Sequence, residues 1–288
     1  VHNHRELIDA DFALNTDAGG GTLDEATGRP VYYAVETAEK TFADFELTVR
    51  NPGGHSARPR SDNAIYELAD ALEKVQAYRF PVMWDDTTLG YFRGIAALNP
   101  GELGAAMVSF SRNPHDAKAA AVLSANPAYV GVIRTTCVPT LLRGGHADNA
   151  LPQSATVTIN CRIYPGVDPS VVQATLQGLV GAKVEVAAIG PLSWSDASPL
   201  RQDVLSAINR AVHARHPGIP VIPSQASGAS DSVFTRPLGI PSYGASESFI
   251  KESDDFSHGL DERLPVQSFY DGLDYWHVLL RDLAGPAH

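Results

Sequence analysis

The chain has 288 residues, 44% of them apolar, enough for one large or two ordinary globular domains with cores of their own. Its 33 acids against 22 Lys and Arg leave a net charge of −11 with no basic run to offset it, a balance that repels phosphate backbones and excludes nucleic acid as a partner. No uninterrupted apolar segment approaches the roughly 20 residues of a membrane-spanning helix, so no membrane partner is expected.

Residues 1–9 carry no initiator Met and no signal-peptide pattern. They read as the middle of an amphipathic turn, which predicts a preceding segment in the parent protein and leaves localisation open. In Ala13-Leu14-Asn15-Thr16-Asp17-Ala18-Gly19-Gly20-Gly21 an apolar run ends in an acid and a glycine triplet. A strand-end acid makes a candidate metal ligand, because the backbone holds it while the glycines leave room. Residues 31–36 and 42–50, the latter with Phe45, Leu47 and Val49 on one face, predict strands, with 37–41 crossing between domains. Asn51-Pro52-Gly53-Gly54 is a turn, His55 follows it, and Asp62 is expected to cap a helix with the stripe Ile65, Leu68, Ala69, Leu72 and Val75. Residues 79–135, rich in Pro and Ala with weak periodicity, read as an insertion with one or two helices around 101–108 and 115–125.

From 155 to 163 the chain alternates, with Ala155, Val157, Ile159, Cys161 and Ile163 on one face and Arg162 on the other. The chain's two cysteines, Cys137 and Cys161, are too few for a disulfide scaffold and leave a single bridge between them open. Asp168-Pro169 opens a helix with a cap and an N1 proline, its apolar face being Val171, Val172, Leu176 and Leu179, and a strand over 183–188 follows. Strand, helix, strand, strand, helix, strand across 42–188 predicts a ferredoxin-like α+β domain. Beyond it come a helix from about 200 to 215, a short strand near 220–222, the Gly/Ser loop 227–232 and the turn Asp255-Phe256-Ser257-His258-Gly259-Leu260-Asp261-Glu262-Arg263. Set among Ser, Gly and acids, His258 suits a metal ligand better than a core position. The last helix carries Val266, Phe269, Tyr270, Leu273, His277 and Leu280 at helical spacing. Alternating helices and short strands predict an α/β domain built from 1–40 and 191–288, interrupted by the α+β domain at 41–190.

Five segments now stand in order: Asn15-Thr16-Asp17-Ala18-Gly19-Gly20; Gly54-His55-Ser56-Ala57-Arg58-Pro59; Asn149-Ala150-Leu151-Pro152 with Cys161-Arg162-Ile163-Tyr164-Pro165-Gly166; Ser227-Gly228-Ala229-Ser230-Asp231; and Ser257-His258-Gly259-Leu260-Asp261-Glu262-Arg263. Each alone is weak, but in this order and spacing they resemble the M20 family of zinc metallopeptidases, which spans carboxypeptidases, aminoacylases and desuccinylases. The resemblance runs from one end of the chain to the other. It implies an α/β zinc-peptidase catalytic domain with an inserted lid that dimerises, hence a homodimer. It implies Asp17 and His258 as one ligand on each of two zinc ions, and His55 as the histidine that reaches into the partner subunit's site to bind the oxyanion. Asn149 and Arg162 would hold the substrate, Arg162 gripping a free carboxylate, and Gly228 would contact it through its backbone. The implied substrates are short peptides or N-acyl amino acids with a free carboxylate.

The family's earlier His-x-Asp motif and its Glu-Glu pair have no counterpart here. His2, His4, Glu6 and Asp9 have suitable residue types at the wrong spacing. The chain thus resembles the C-terminal portion of such an enzyme, expected to be inactive by itself. Plainer readings stand beside these: Asp17 as an ordinary turn acid, Arg162 as a solvated charge, Asn149 as the start of the Pro152 turn. A non-catalytic dimerisation or binding module is the alternative function. A serine hydrolase at 227–232 ranks third, since no G-x-S-x-G elbow is present.

Overall fold

The computed structural model describes residues 3–285, so Val1 and His2 lie outside the described residues. In chain order the elements begin β1 (Ala13–Asn15), β2 (Gly20–Leu23), β3 (Pro30–Glu39), β4 (Thr41–Arg50), β5 (Gly54–His55), α1 (Ala64–Ala77), α2 (Asp86–Ile95), α3 (Glu102–Arg112), α4 (Ala117–Ala125) and α5 (Pro127–Val130). They continue β6 (Thr136–Gly144), β7 (Ala150–Leu151), β8 (Ser154–Ile163), α6 (Pro169–Val180), β9 (Val184–Ile189), α7 (Gln202–Arg215), β10 (Val221–Ala226), α8 (Ser232–Thr235), β11 (Ser242–Gly244), β12 (Phe249–Lys251) and α9 (Val266–Ala284). Contacts divide them into two compact units, one of Val1–Glu39, Trp84–Asn126 and Asp196–His288, the other of Lys40–Met83 and Pro127–Ser195. The boundaries expected from sequence ran the second unit continuously over 41–190, whereas α2, α3 and α4 group with the first.

The second unit is an antiparallel sheet in the order β6-β8-β4-β9, with α1 and α6 packed on one face. Alternation places Phe45, Leu47 and Val49 of β4 against Val157, Ile159 and Ile163 of β8, all at 2% exposure or less. Each such side chain contributes about 2 kcal/mol by leaving water. In chain order β4, α1, β6, β8, α6 and β9 make the expected ferredoxin-like arrangement. Cys137 and Cys161, directly opposite across β6 and β8, form a disulfide.

The first unit has a mixed sheet in the order β1-β11-β3-β2-β12, with β10 also paired to β3. Tyr33 and Val35 of β3 and Tyr243 of β11 pack with Val204, Ile208 and Val212 of α7 and with Tyr275 and Leu279 of α9. The buried Tyr33 hydroxyl donates to Ser246 O (2.8 Å) and lies 3.0 Å from the Tyr275 hydroxyl, so the ring's polar end is satisfied inside the core. Helix α2 was not anticipated. Its Gly90 and Gly94 sit one turn apart against β10, where a Cβ would fall 2.6 Å from Pro223 Cγ and 2.2 Å from Ile222 Cγ2. Those small residues let the helix seat closely on the strand.

Three local expectations change. Asn63, not Asp62, caps α1 by accepting from Ile65 N, while Asp62 pairs with Arg60 at 2.7 Å, and Ile65 faces solvent. On α6, Val171 is exposed and Val172, Leu176 and Val180 are buried. On α9 the predicted apolar stripe faces outward, from Val266 at 72% exposure to Leu280 at 52%, and the buried side is Ser268, Gly272, Tyr275 and Leu279. The small residues decide that register: a Cβ on Gly272 would lie 2.0 Å from Glu247 Cγ, and Ser268 Oγ accepts from Phe249 N at 2.7 Å.

Candidate functional site

In the first unit, Asp17 sits on the turn between β1 and β2. Asn15 Oδ1 accepts from Asp17 N (2.9 Å), an Asx turn that leads the chain out of β1 with the Asp17 side chain exposed. Gly19 then passes over β11 with φ +76, and a Cβ there would meet Gly244 O at 2.4 Å, so no other residue fits. Asn15 Nδ2 donates to Ser232 Oγ (3.2 Å), which ties the Asp17 turn to the loop 227–232. That loop rests on Glu39, whose Oε2 accepts from both Ser230 N (2.8 Å) and Ser230 Oγ (3.0 Å). Gly228 is exposed at its tip, and a Cβ there would meet nothing within 4 Å.

Beneath the loop lies a buried charge cluster. Arg236 Nη1 stands 3.1 Å from Glu39 Oε1, while Nε donates to Ser198 Oγ (3.1 Å) and Nη2 to Ser242 O (3.0 Å). Glu36, farther from the guanidinium at 3.9 Å, is pushed up to about 7, by burial first and then by the neighbouring Glu39 and Asp17 carboxylates, with Arg236 opposing. One guanidinium faces two carboxylates, so at neutral pH Glu36 is substantially protonated.

His258 follows β12 in an exposed turn closed by Gly259 N donating to Phe256 O (2.7 Å), and it is the one non-glycine with positive φ (64°) among the described residues. The segment before it is pinned to the turn after β2, where Ser253 N donates to Glu25 Oε1 (2.9 Å) and its hydroxyl to Oε2 (2.5 Å). Because β2 and β12 run parallel, Asp17 and the His258 segment leave opposite ends of that strand pair. Among the described residues, no group of three or more His, Cys, Asp and Glu side chains could hold a metal. Asp17 and His258 alone do not fit a zinc site, which takes three or four protein ligands or three with a water.

In the second unit, β5 and β7 pair so that His55 lies opposite Ala150, next to Asn149, whose carbonyl accepts from Ser56 N (3.0 Å). Residues nearly a hundred positions apart are thus set side by side. Ala57 N donates to His55 Nδ1 (3.1 Å), which makes Nδ1 the acceptor and places the neutral ring's proton on Nε2. The exposed imidazole therefore presents a donor. Arg162, on the sheet face away from the helices, lies over the Phe42 ring with its guanidinium carbon 4.9 Å from the centroid, a cation–π contact.

Three site-adjacent residues were not singled out from sequence: Glu39, Arg236 and Lys40. Lys40 is 2% exposed, its Nζ donates to Arg134 O (2.8 Å), and burial, with the Arg162 charge second, lowers it to about 7. Sequence offers little signal for these residues: Glu39 and Lys40 lie in the stretch that reads as a crossing, beside strands that carry other charges such as Glu36, Asp44 and Glu46.

A profile described as the M20 peptidase dimerisation domain matches residues 37–187, just over half of the chain. The chain belongs to the M20 peptidase family. Among curated relatives, the N-fatty-acyl-amino acid synthase/hydrolase PM20D1 of Xenopus tropicalis is 27% identical over 267 residues, 89% of this chain and 51% of that protein. A probable carboxypeptidase S-like 2 of Dictyostelium discoideum is 24% identical over 86% of this chain and 48% of its own length. The chain therefore spans about half the length of these relatives. Among solved structures, the M20 metallo-carboxypeptidase Sso-CP2 of Sulfolobus solfataricus superposes with a TM-score of 0.66 at 17% identity, covering 97% of this chain and 65% of that one. The fold is that of the M20 peptidases, and its relatives are hydrolases and peptidases.

Proposed function

We propose that this chain supplies the dimerising lid and the C-terminal part of the catalytic domain of an M20-type hydrolase that cleaves an amide bond in N-acyl amino acids or short peptides with a free carboxylate. The observation that carries this reading is the hydrogen bond from Ala57 N to His55 Nδ1, which leaves Nε2–H as a fixed outward donor. A donor of that kind is what a developing oxyanion needs. Beside it Asn149, and on the neighbouring sheet the Phe42-stacked Arg162, would hold the substrate, Arg162 through paired hydrogen bonds to its carboxylate. In this reading His55 acts in the site of a partner subunit, within a homodimer formed by the lids. Gly228 lends a backbone contact on the 227–232 loop. The family's metal pair would take one ligand each from Asp17 and His258, provided that the turn after β12 returns to the Asp17 end of the strand pair, in a polypeptide that also carries the remaining ligands, and this chain alone is proposed to be inactive.

The test uses the parent polypeptide. It is expected to bind about two zinc per subunit and to hydrolyse N-acyl amino acids, with activity lost to a chelator and restored by zinc. Arg162→Met should raise KM ten- to a hundredfold for a free-carboxylate substrate, the loss of a charged hydrogen-bonded pair, and should leave the matching C-terminal amide almost unaffected. Equal losses on both substrates would remove Arg162 from the carboxylate. A parent without bound metal or hydrolysis would favour the alternative, a non-catalytic dimerisation module.

A further inference from the structure

Loop 227–232 is held at one point. Both the backbone and the hydroxyl of Ser230 donate to a single oxygen of Glu39, a side chain 4% exposed, and Arg236, at 2% exposure, stands 3.1 Å from the other oxygen. Arg236 is held in turn by Ser198 Oγ and Ser242 O. From Ser230 the connection runs on: Ser232 N donates to Ser230 Oγ (3.3 Å), Asn15 Nδ2 donates to Ser232 Oγ, and Asn15 Oδ1 takes the Asp17 amide. A buried ion pair of this sort is poor stabilisation compared with apolar packing, yet it holds its partners in one geometry. Here the partners are the two exposed segments that carry Asp17 and Gly228.

We propose that Glu39, ion-paired with Arg236, is a positioning residue for the reaction: through Ser230 it fixes the loop that presents Gly228 to the substrate, and through Ser232 and Asn15 it sets the Asp17 turn. The role rests on the function proposed above. It predicts that loosening the anchor costs substrate affinity and leaves the fold intact.

The variant that reads this directly is Ser230→Ala, which removes one of the two bonds to Glu39 on a partly exposed loop, with Ser230→Thr as the hydroxyl-retaining control. Hydrogen exchange on this chain should show amides of 227–233 exchanging about tenfold faster in Ser230→Ala, the loss of one hydrogen bond to a charged group, with wild-type rates in Ser230→Thr and no change in the β4–β8 core. In the parent enzyme Ser230→Ala should raise KM about tenfold with kcat changed less than threefold, and Ser230→Thr should restore it. Glu39→Gln, which keeps an acceptor for Ser230 but not the pairing with Arg236, should fall between them in both measurements. Unchanged loop exchange in Ser230→Ala overturns the anchor. Faster loop exchange with an unchanged KM overturns the positioning role while leaving the anchor standing. A wild-type parent without hydrolysis sinks the functional reading, and the positioning role with it, whichever way the exchange falls.

Discussion

Gly228 and Lys40 show how differently one residue can be bound to its surroundings. Space around Gly228 is open and its φ is not in the left-handed region, so nothing in the fold demands a glycine. Gly228→Ala should therefore leave thermal stability within about 0.5 kcal/mol of wild type. If a substrate backbone packs there, the same change should raise KM in the parent enzyme several-fold, and an unaltered KM would take Gly228 out of the site. Lys40 is the opposite case. Its amine is depressed to about 7 in the folded chain against an ordinary value of 10.5, so between those limits the unfolded chain binds more protons. Stability linked to Lys40 is then fully present above about 10, falls progressively as pH drops from about 10 toward 7, and is fully lost below 7. Lys40→Met removes that dependence. Its advantage over wild type should be largest at pH 7 and below and shrink by about 1.4 kcal/mol per unit from pH 7 to pH 10, read by denaturant titration across that range. A constant difference would mean that the amine is not depressed.

At the scale of elements, legibility followed exposure. Strand β8 was readable because both its faces are distinct, one packed on helices and one polar, so the alternation of Ala155 to Ile163 stands out. Strand β6 was not located. It is an edge strand whose residues from Val138 onward are exposed on both faces, and Pro139 with a register shift beside it erases any period of two. Helix α9 was found but turned the wrong way, because Ser268 and Gly272 mark its inner face by being small, while the larger Phe269, Leu273 and Leu280 face out. Leu141 and Leu142 of β6 are exposed on an open sheet edge, the kind of surface on which the lid of the proposed homodimer would seat. If the lids pair as proposed above, Leu142→Glu should yield monomer in sedimentation without lowering the melting temperature. A persistent dimer would place the interface elsewhere.

At the scale of the whole molecule, the order of site motifs pointed to the family although no single motif did, because each constrains one short turn and only their sequence is improbable. The membership of Trp84–Asn126 in the first unit was out of reach, since contact between α2 and β10 joins residues more than a hundred apart through glycines that carry no hydrophobic signal. The candidates His55, Asn149 and Arg162, whose roles are proposed above, stood out from sequence because each sits in a short polar motif on a turn or a polar strand face. The candidate site was illegible where a buried group holds a loop from beneath, as Glu39 and Arg236 do for Ser230, because a charged residue reads from sequence as a surface residue.

The bridge between Cys137 and Cys161 joins opposite residues on β6 and β8, 24 positions apart in sequence, and so closes the segment that contains the open edge. By the chain-entropy argument its removal should cost about 3 kcal/mol, measurable as a lower denaturation midpoint in Cys161→Ala or under thiol reductant, and an unchanged midpoint would contradict it. The bond also acts as a latch on alignment. A strand exposed on both sides has little hydrophobic preference to stop it sliding by one place, and each slide would exchange the outward neighbours of Leu141 and Leu142. Oxidised chains would then offer a docking partner one uniform edge, and reduced chains a mixture of misaligned ones.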